Sequence, residues 1–246
     1  LDQTTKKQIQ NFLNHPAFQS KPIAIMPDTH FGKGSCVGFT MPLNDYIVPN
    51  VVGVDIGCGV STYNLGQYGD ILVEDLPEYD RLIREVIPIG FKVNSKNVSH
   101  PSEFVNRLSY MARIIGKEDK TEYFVNSLGT LGGGNHFIEI GRGKKDYYLT
   151  VHTGSRNFGL SVASYYQDLA KELRHRVFDS YDYKDAEFLP RGIGGSFDGN
   201  DYLILMGQAQ KYARLNRELI IRRIIGTVWG LEFKRDYYTE SIHNYI

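Results

Sequence analysis

Apolar residues recur along this chain with two periods, and the switches between them mark its elements. In "DQTTKKQIQNFLNHPAF" Ile9, Phe12 and Leu13 fall at helical spacing and predict a short helix. "PEYDRLIREVIP" predicts a second helix, ended by Pro88. "PSEFVNRLSYMARIIG" predicts a third, with Pro101 at its start and Gly116 past its end. "GLSVASYYQDLAKELRHRVF" and "DYLILMGQAQKYARLNRELIIRRIIGTVWG" predict two long helices, the latter with a break inside it. "PIAIMPD" predicts a buried strand ending in a turn. "VGFTMPL", "YIVPNVVGVDIG", "GVSTYNLG", Phe137 to Ile140 and "YYLTVHTGS" also read as strands, punctuated by glycine and proline. Residues 179 to 200 are rich in Gly and Asp and predict a long functional loop. The sum is an α+β fold, with mixed sheets, packed helices and histidines gathered at strand ends. A single domain over residues 1–246 is expected.

Composition narrows the class. The 246 residues carry no net charge, with 28 basic and 28 acidic side chains, and 41% are hydrophobic. Such a chain can bury a sizeable core, and it does not coat nucleic acid by bulk charge. Any contact with RNA is expected to be local, through a basic groove. No apolar run approaches the roughly 18 residues of a membrane span, and no signal peptide is visible. Cys36 and Cys58 are too few for a disulfide framework, so a reducing cytoplasmic setting is expected.

Several short stretches carry chemistry. "VDIGCGV" holds Asp55 and Cys58. Strict alternation would turn them to opposite faces, but Gly57 and Gly59 permit a bend that lets both point one way. The plainer alternative is a small buried cysteine in a glycine-rich turn capped by an aspartate. "TVHTGSRNFG" places His152 at a strand end with Arg156 following, which suits a metal beside a bound phosphate; an ordinary turn histidine is the alternative. "GGGNHF" sets Asn135 and His136 behind three glycines, where a phosphate loop and a plain turn compete. "MPDTHFGKG" offers Asp28, His30 and Lys33, and "ESIHNYI" offers His243 and Asn244. Together Asp55, Cys58, His136, His152 and His243 supply five metal-competent side chains. They can hold two divalent ions if the sulfur bridges, a common device for displacement at phosphorus. Softness of the thiolate favours zinc.

Four segments in order, "IAIMPDTHFGKGSCVGFT", "VVGVDIGCGV", "LGTLGGGNHFIEIG" and "VHTGSRNFG", resemble the signature segments of the RtcB family of RNA ligases. "AQKYARLNRELI" and "SIHNYI" fit as well, so the likeness runs from about residue 20 onward. The resemblance implies an RtcB-like fold and an enzyme of RNA repair or tRNA processing. It would join 3′-phosphate or 2′,3′-cyclic phosphate ends to 5′-hydroxyl ends, using GTP and two Mn²⁺ ions. It implies Asp55, Cys58 and His136 as ligands of one ion and Cys58, His152 and His243 as ligands of the other. Asn135, His136, Phe137, Ile138 and Glu139, with His243 and Asn244, would line the GMP site. Asp28, Cys58 and Asn135 would serve the chemistry, Asp28 by orienting a guanylylated histidine. Arg156, Lys33 and Arg191 are the candidates for RNA or nucleotide phosphate. The substrates implied are tRNA halves or broken RNA, with an archease-like activator as a further partner; a monomer is expected.

No residue of this sequence matches the family's guanylylated histidine: the chain is a fragment, or its remainder is disordered or cleaved, or it is a short homologue without the nucleotidyl step, and of these a partial chain is expected. Two other readings stand beside the ligase: a metal-dependent phosphohydrolase acting on cyclic-phosphate ends, and a truncated module that binds RNA or GTP without catalysis.

Overall fold

The computed structural model describes residues 1–15, 18, 21–32, 35–43, 45–66, 71–95, 102–177, 187–192 and 198–244. These sort into two compact units, one formed by Leu1–Val54 with Ser161–Gly207, the other by Asp55–Leu160 with Gln208–Tyr245. Among the described residues no helix is long and apolar enough to cross a membrane.

The first unit opens with α1 (Gln3–Leu13), capped by Asp2, whose carboxylate accepts the Thr5 amide at 2.9 Å. Two small antiparallel pairs follow: β1 (Ala24–Ile25) with β2 (Phe39–Thr40), and β3 (Tyr46–Ile47) with β7 (Leu189–Pro190). Phe12, Phe18, Val48 and Phe188 form its aromatic core. The buried strand expected in "PIAIMPD" is thus corrected: it is only two residues long, with Ala24 exposed and Ile25 half-buried. Pro22 and Pro27 flank it, and the chain turns at once through a Thr29 to Met26 hydrogen bond. The strand expected through "YIVPNVVGVDIG" is also corrected. It stops at Ile47, because Pro49 sits where a helix starts and opens the single turn α2 (Pro49–Val52).

The second unit is built on an antiparallel sheet in the order β5 (Phe137–Arg142), β6 (Tyr147–Thr153), β4 (Gly59–Gly66), β8 (Tyr238–Ile242). Residues of β4 alternate between buried and half-buried, as an internal strand requires. Its other helices are α3 (Leu76–Val86), α4 (Ser102–Ile114) and α5 (Thr121–Asn126). Two long helices contribute to both units, α6 (Arg156–Val177) and α7 (Asp198–Trp229). In the second unit α7 lays Ile220, Ile221, Ile224 and Ile225 against Tyr63, Leu65, Leu149 and Val151 of the sheet. Burying each such side chain is worth about 1.5–3 kcal/mol.

The break expected in the last long helix is absent: α7 runs unbroken for 32 residues. Gly207 and Gly226 lie inside it, but each glycine costs a helix only about 1 kcal/mol, less than the packing that the isoleucine stripe gains. Of the long loop expected at 179 to 200, residues 179–186 and 193–197 lie outside the described residues. The part between contains β7, and α7 already starts at Asp198.

Candidate metal centre

The sheet register brings four donors to one edge. Antiparallel neighbours start and end at the same edge, so the residue before β4, the residue before β5, the end of β6 and the residue after β8 are gathered there. Gly59 is level with Thr153 and with Ile242, while His152 is level with Val60 and Phe137. Cys58, His136, His152 and His243 therefore meet. Asp55 joins them through a turn in which the Cys58 amide donates to the Asp55 carbonyl at 3.0 Å. Gly57 sits at φ 72° in that turn, a conformation that suits glycine. The bend expected at Gly57 is the bend observed.

The donor atoms form two groups that share the sulfur. Cys58, His152 and His243 make one, and Asp55, Cys58 and His136 the other; within each, the ligand atoms lie within 4.8 Å of one another. Cys58 Sγ is 3.3 Å from His152 Nε2 and 3.8 Å from His136 Nε2. His136 Nε2 is 2.8 Å from Asp55 Oδ2, and the Nε2 atoms of His152 and His243 are 3.4 Å apart. Backbone carbonyls orient two of the rings. His136 Nδ1 donates to Leu131 O at 3.0 Å and His152 Nδ1 to Asn135 O at 2.9 Å. A carbonyl can only accept, so Nδ1 carries the proton and Nε2 is turned to the centre, the arrangement of a metal-binding histidine.

The shifts at the centre follow from its burial and from the closeness of its donors. Burial, then the charge of Asp55 and a hydrogen bond to it, pushes the Cys58 thiol up to about 12. Burial also pushes the Asp55 carboxyl up, but His136, Cys58 and the Ser155 amide together outweigh it and hold the carboxyl below its usual range. Burial, with the charges of His152 and Arg217, lowers His243. A carboxylate against a thiol that is hard to ionise is the kind of pair a divalent ion relieves.

The glycine-rich stretch is the loop that delivers His136. Gly132 and Gly134 have φ values of 87° and 73°, and a Cβ on Gly132 would collide with the Arg156 guanidinium. Arg156 spans this loop, donating from Nε to Thr130 Oγ1 at 3.2 Å and from Nη2 to Gly90 O at 3.1 Å. It is itself at φ 55°. The side chain of Asn135 is exposed. Strand alternation in β5 leaves Phe137 and Glu139 exposed and turns Ile138 into the core cluster. Of the three, Ile138 can offer a ligand only its backbone. The Phe137 ring lies 5.2 Å from that of His152. Asn244 ties the end of β8 to the aspartate turn, donating to Asp55 O at 3.1 Å and accepting from the Gly57 amide at 2.9 Å.

The remaining sequence candidates belong to the first unit. Asp28 is exposed, and its carbonyl accepts from His30 Nδ1 at 2.9 Å. Arg191 donates from Nε to Asn200 Oδ1 at 3.4 Å. Lys33 lies outside the described residues. Cys36 is buried there and, among the described residues, belongs to no donor group. Hydrophobic patterning alone passes over Asn216 and Arg217, both wholly buried on α7 behind the centre. The available signal was two polar residues set in an apolar stripe that runs Tyr212, Ala213, Ile220, Ile221 and Ile224.

Comparison with known proteins gives the family. The family model described as tRNA-splicing ligase RtcB matches residues 8–122 and 111–246. The chain is 30% identical to the RNA-splicing ligase RtcB of Escherichia coli (strain K12), over 98% of this chain and 63% of that protein. It is 33% identical to the RNA-splicing ligase RtcB1 of Escherichia coli (strain ATCC 25922), over 89% of this chain and 56% of the relative. It is 25% identical to the tRNA-splicing ligase RtcB of Methanococcus maripaludis, over 89% and 54%. With donors, loop and sheet edge in place and a match spanning nearly all its residues, the chain belongs to the RtcB family. It spans between 54% and 63% of the length of these three relatives.

Proposed function

We propose that this chain carries the metal-binding and nucleotide-binding part of an RNA ligase. In this reading 3′-phosphate or 2′,3′-cyclic phosphate ends are joined to 5′-hydroxyl ends through GTP-dependent guanylylation with two Mn²⁺ ions. The observation that carries the reading is the sulfur of Cys58 shared by two donor groups, each completed by residues from different strand ends. Asp55, Cys58 and His136 would hold one ion and Cys58, His152 and His243 the other. The donor set fits a divalent metal: one thiolate, one carboxylate and three imidazoles, two of them already oriented by carbonyls. Bound there, two ions supply Lewis-acid stabilisation of charge on phosphoryl oxygens. The identity of manganese rests on the family resemblance, since the thiolate equally suits zinc.

The chain's own residues do the positioning. Exposed backbone at Gly133 and Gly134 and the Asn135 amide are available to donate to phosphate oxygens. Phe137 and Glu139 face outward beside His136 and would line the nucleotide site with His243 and Asn244. Arg156 holds the loop in shape while its charge favours a phosphate nearby. A role for Asp28, in orienting a guanylylated histidine, rests on the resemblance alone, and Lys33 and Arg191 are candidates for RNA phosphate as cations of a local basic groove. Substrates in the form of tRNA halves or broken RNA and an archease-like activator also rest on the resemblance, while a cytoplasmic setting rests on the low cysteine count and a monomeric state is proposed beside it.

The test is the intact mass of the full gene product with and without GTP and Mn²⁺. A gain of one GMP is expected. Absence of that gain, with metal alone opening a cyclic phosphate end, would overturn the ligase in favour of a metal-dependent phosphohydrolase.

A further inference from the structure

We infer that Asn216 and Arg217, adjacent on α7, are the positioning residues that set the spacing of the metal donors. The inference rests on the metal-centre reading above and assigns it a scaffold.

Asn216 joins two of the segments that deliver donors. Its Oδ1 accepts from the Gly129 amide at 2.7 Å and the Thr130 amide at 3.2 Å. Its Nδ2 donates to Thr130 O at 3.1 Å and to Gly154 O at 3.2 Å. The whole capacity of the amide group is spent. The first three of these contacts hold the turn that leads into the glycine loop and His136. The fourth holds the residue two beyond His152.

Arg217 joins the His152 segment to a third, that of Cys58. One nitrogen, Nη1, donates to Gly57 O at 2.8 Å and to Thr153 O at 3.0 Å. Gly57 immediately precedes Cys58, and Thr153 immediately follows His152. A single nitrogen thus bridges the two segments whose donor atoms stand 3.3 Å apart. Nε fastens the group to β4 through Ser61 Oγ at 2.9 Å.

Helix packing does not account for this residue. The neighbouring positions of the same stripe, Ile220, Ile221 and Ile224, are filled by isoleucine at 0% exposure. Arg217 is equally buried, and desolvating a guanidinium is costly unless it is well paired. Its pairing is incomplete. Among the described residues Nη2 has no hydrogen-bond partner; it stands 3.6 Å from Glu240, a carboxylate that also takes Arg214 at 2.8 Å. A cation kept at this depth is explained by what it holds: the two carbonyls beside the shared ligand and its neighbour.

Cobalt(II) is the probe, because thiolate-to-metal absorption reports the Cys58 bond independently of activity. Arg217→Met and Arg217→Lys are compared with Arg223→Met. Arg223 is another arginine of α7, only partly buried; it binds Asn94 Oδ1 and Gly129 O rather than the carbonyls beside Cys58 and His152, and lies in neither donor group. Affinity is measured on folded protein and thermal midpoint separately. Arg217→Met is expected to lose about 10- to 100-fold in Co²⁺ affinity together with the thiolate band, Arg217→Lys to fall between, and Arg223→Met to lose only stability. If Arg217→Met does not fold, Arg217→Lys decides. Wild-type affinity in folded Arg217 variants, or an equal loss in Arg223→Met, would overturn the inference while leaving the metal centre standing. Failure of the wild-type chain to bind Co²⁺ would remove the metal centre and the inference with it.

Discussion

Cys58 Sγ lies 3.3 Å from His152 Nε2, although 94 residues separate them. The antiparallel pairing of β4 with β6 makes this contact, because the start of one strand is the end of the other. With β5 and β8 on either side, the same edge collects His136 and His243. A site so assembled depends on the sulfur at its middle.

Cys58→Ala is therefore expected to remove more than one metal equivalent, since both donor groups contain the sulfur. Cys36→Ala is expected to leave the stoichiometry unchanged and to cost only the packing of a small buried side chain. Metal analysis after gel filtration checks both. Full stoichiometry in Cys58→Ala would refute a bridging thiolate.

Metal affinity is expected to rise with pH. With its thiol raised to about 12, Cys58 is protonated near neutrality, and an ion that takes the thiolate must expel that proton. Asp55, held below the usual carboxylate range, is already ionised, and His243, lowered by burial, is already neutral. Neither adds a proton to the exchange. One proton released corresponds to roughly a tenfold gain in apparent affinity per pH unit, continuing until the pH nears the thiol's value. Calorimetric titrations from about pH 7 to 9, in buffers of different ionisation enthalpy, count the proton; a flat affinity would exclude the thiolate as a ligand.

Asn135 and Gly132 are expected to separate binding from folding. The Asn135 side chain is exposed, so Asn135→Ala should leave the thermal midpoint nearly unchanged. The loss of a hydrogen bond to a charged phosphate, about 1.5–3 kcal/mol, should weaken GTP binding. Gly132→Ala meets the Arg156 guanidinium at a φ of 87° and is expected to destabilise the fold by about 1–3 kcal/mol. Fluorescent-nucleotide titration alongside thermal melts checks the pair. Equal nucleotide affinity in Asn135→Ala would count against the loop as a phosphate site.

This chain by itself is expected to take no covalent GMP. A guanylylated intermediate needs a nucleophilic histidine with room for a triphosphate. His136, His152 and His243 belong to the donor groups. His15 is buried in the aromatic core of the first unit, its ring 4.7 Å from Phe18 and 5.3 Å from Phe188. The His30 ring is held against the Asp28 carbonyl. His100 lies outside the described residues, as does the side chain of His175. Incubation with labelled GTP and Mn²⁺ followed by acid treatment is the check, and a stoichiometric acid-labile adduct would identify one of these histidines as the nucleophile.

Local chemistry was legible in the sequence wherever a short stretch carried its own constraint. The amphipathic repeats of α3, α4 and α6, the alternation of β4 and the glycine bend before Cys58 follow from periodicity and from glycine's freedom. The five donor residues were also legible, as histidines, an aspartate and a cysteine beside turns. Where proline or glycine met a strong apolar pattern, the sequence misled. Pro49 opened a helix where a strand was expected, while the packing of Ile220 to Ile225 carried α7 through its glycines. The two groups around one sulfur were implied by the family resemblance but not by spacing; the geometry that brings them together came only from the tertiary structure, because it depends on register between strand residues as distant as Gly59 and Ile242. The tertiary structure also decided the place of Asn216 and Arg217. A helical period says which residues are buried together, but not which carbonyls they will find when they get there.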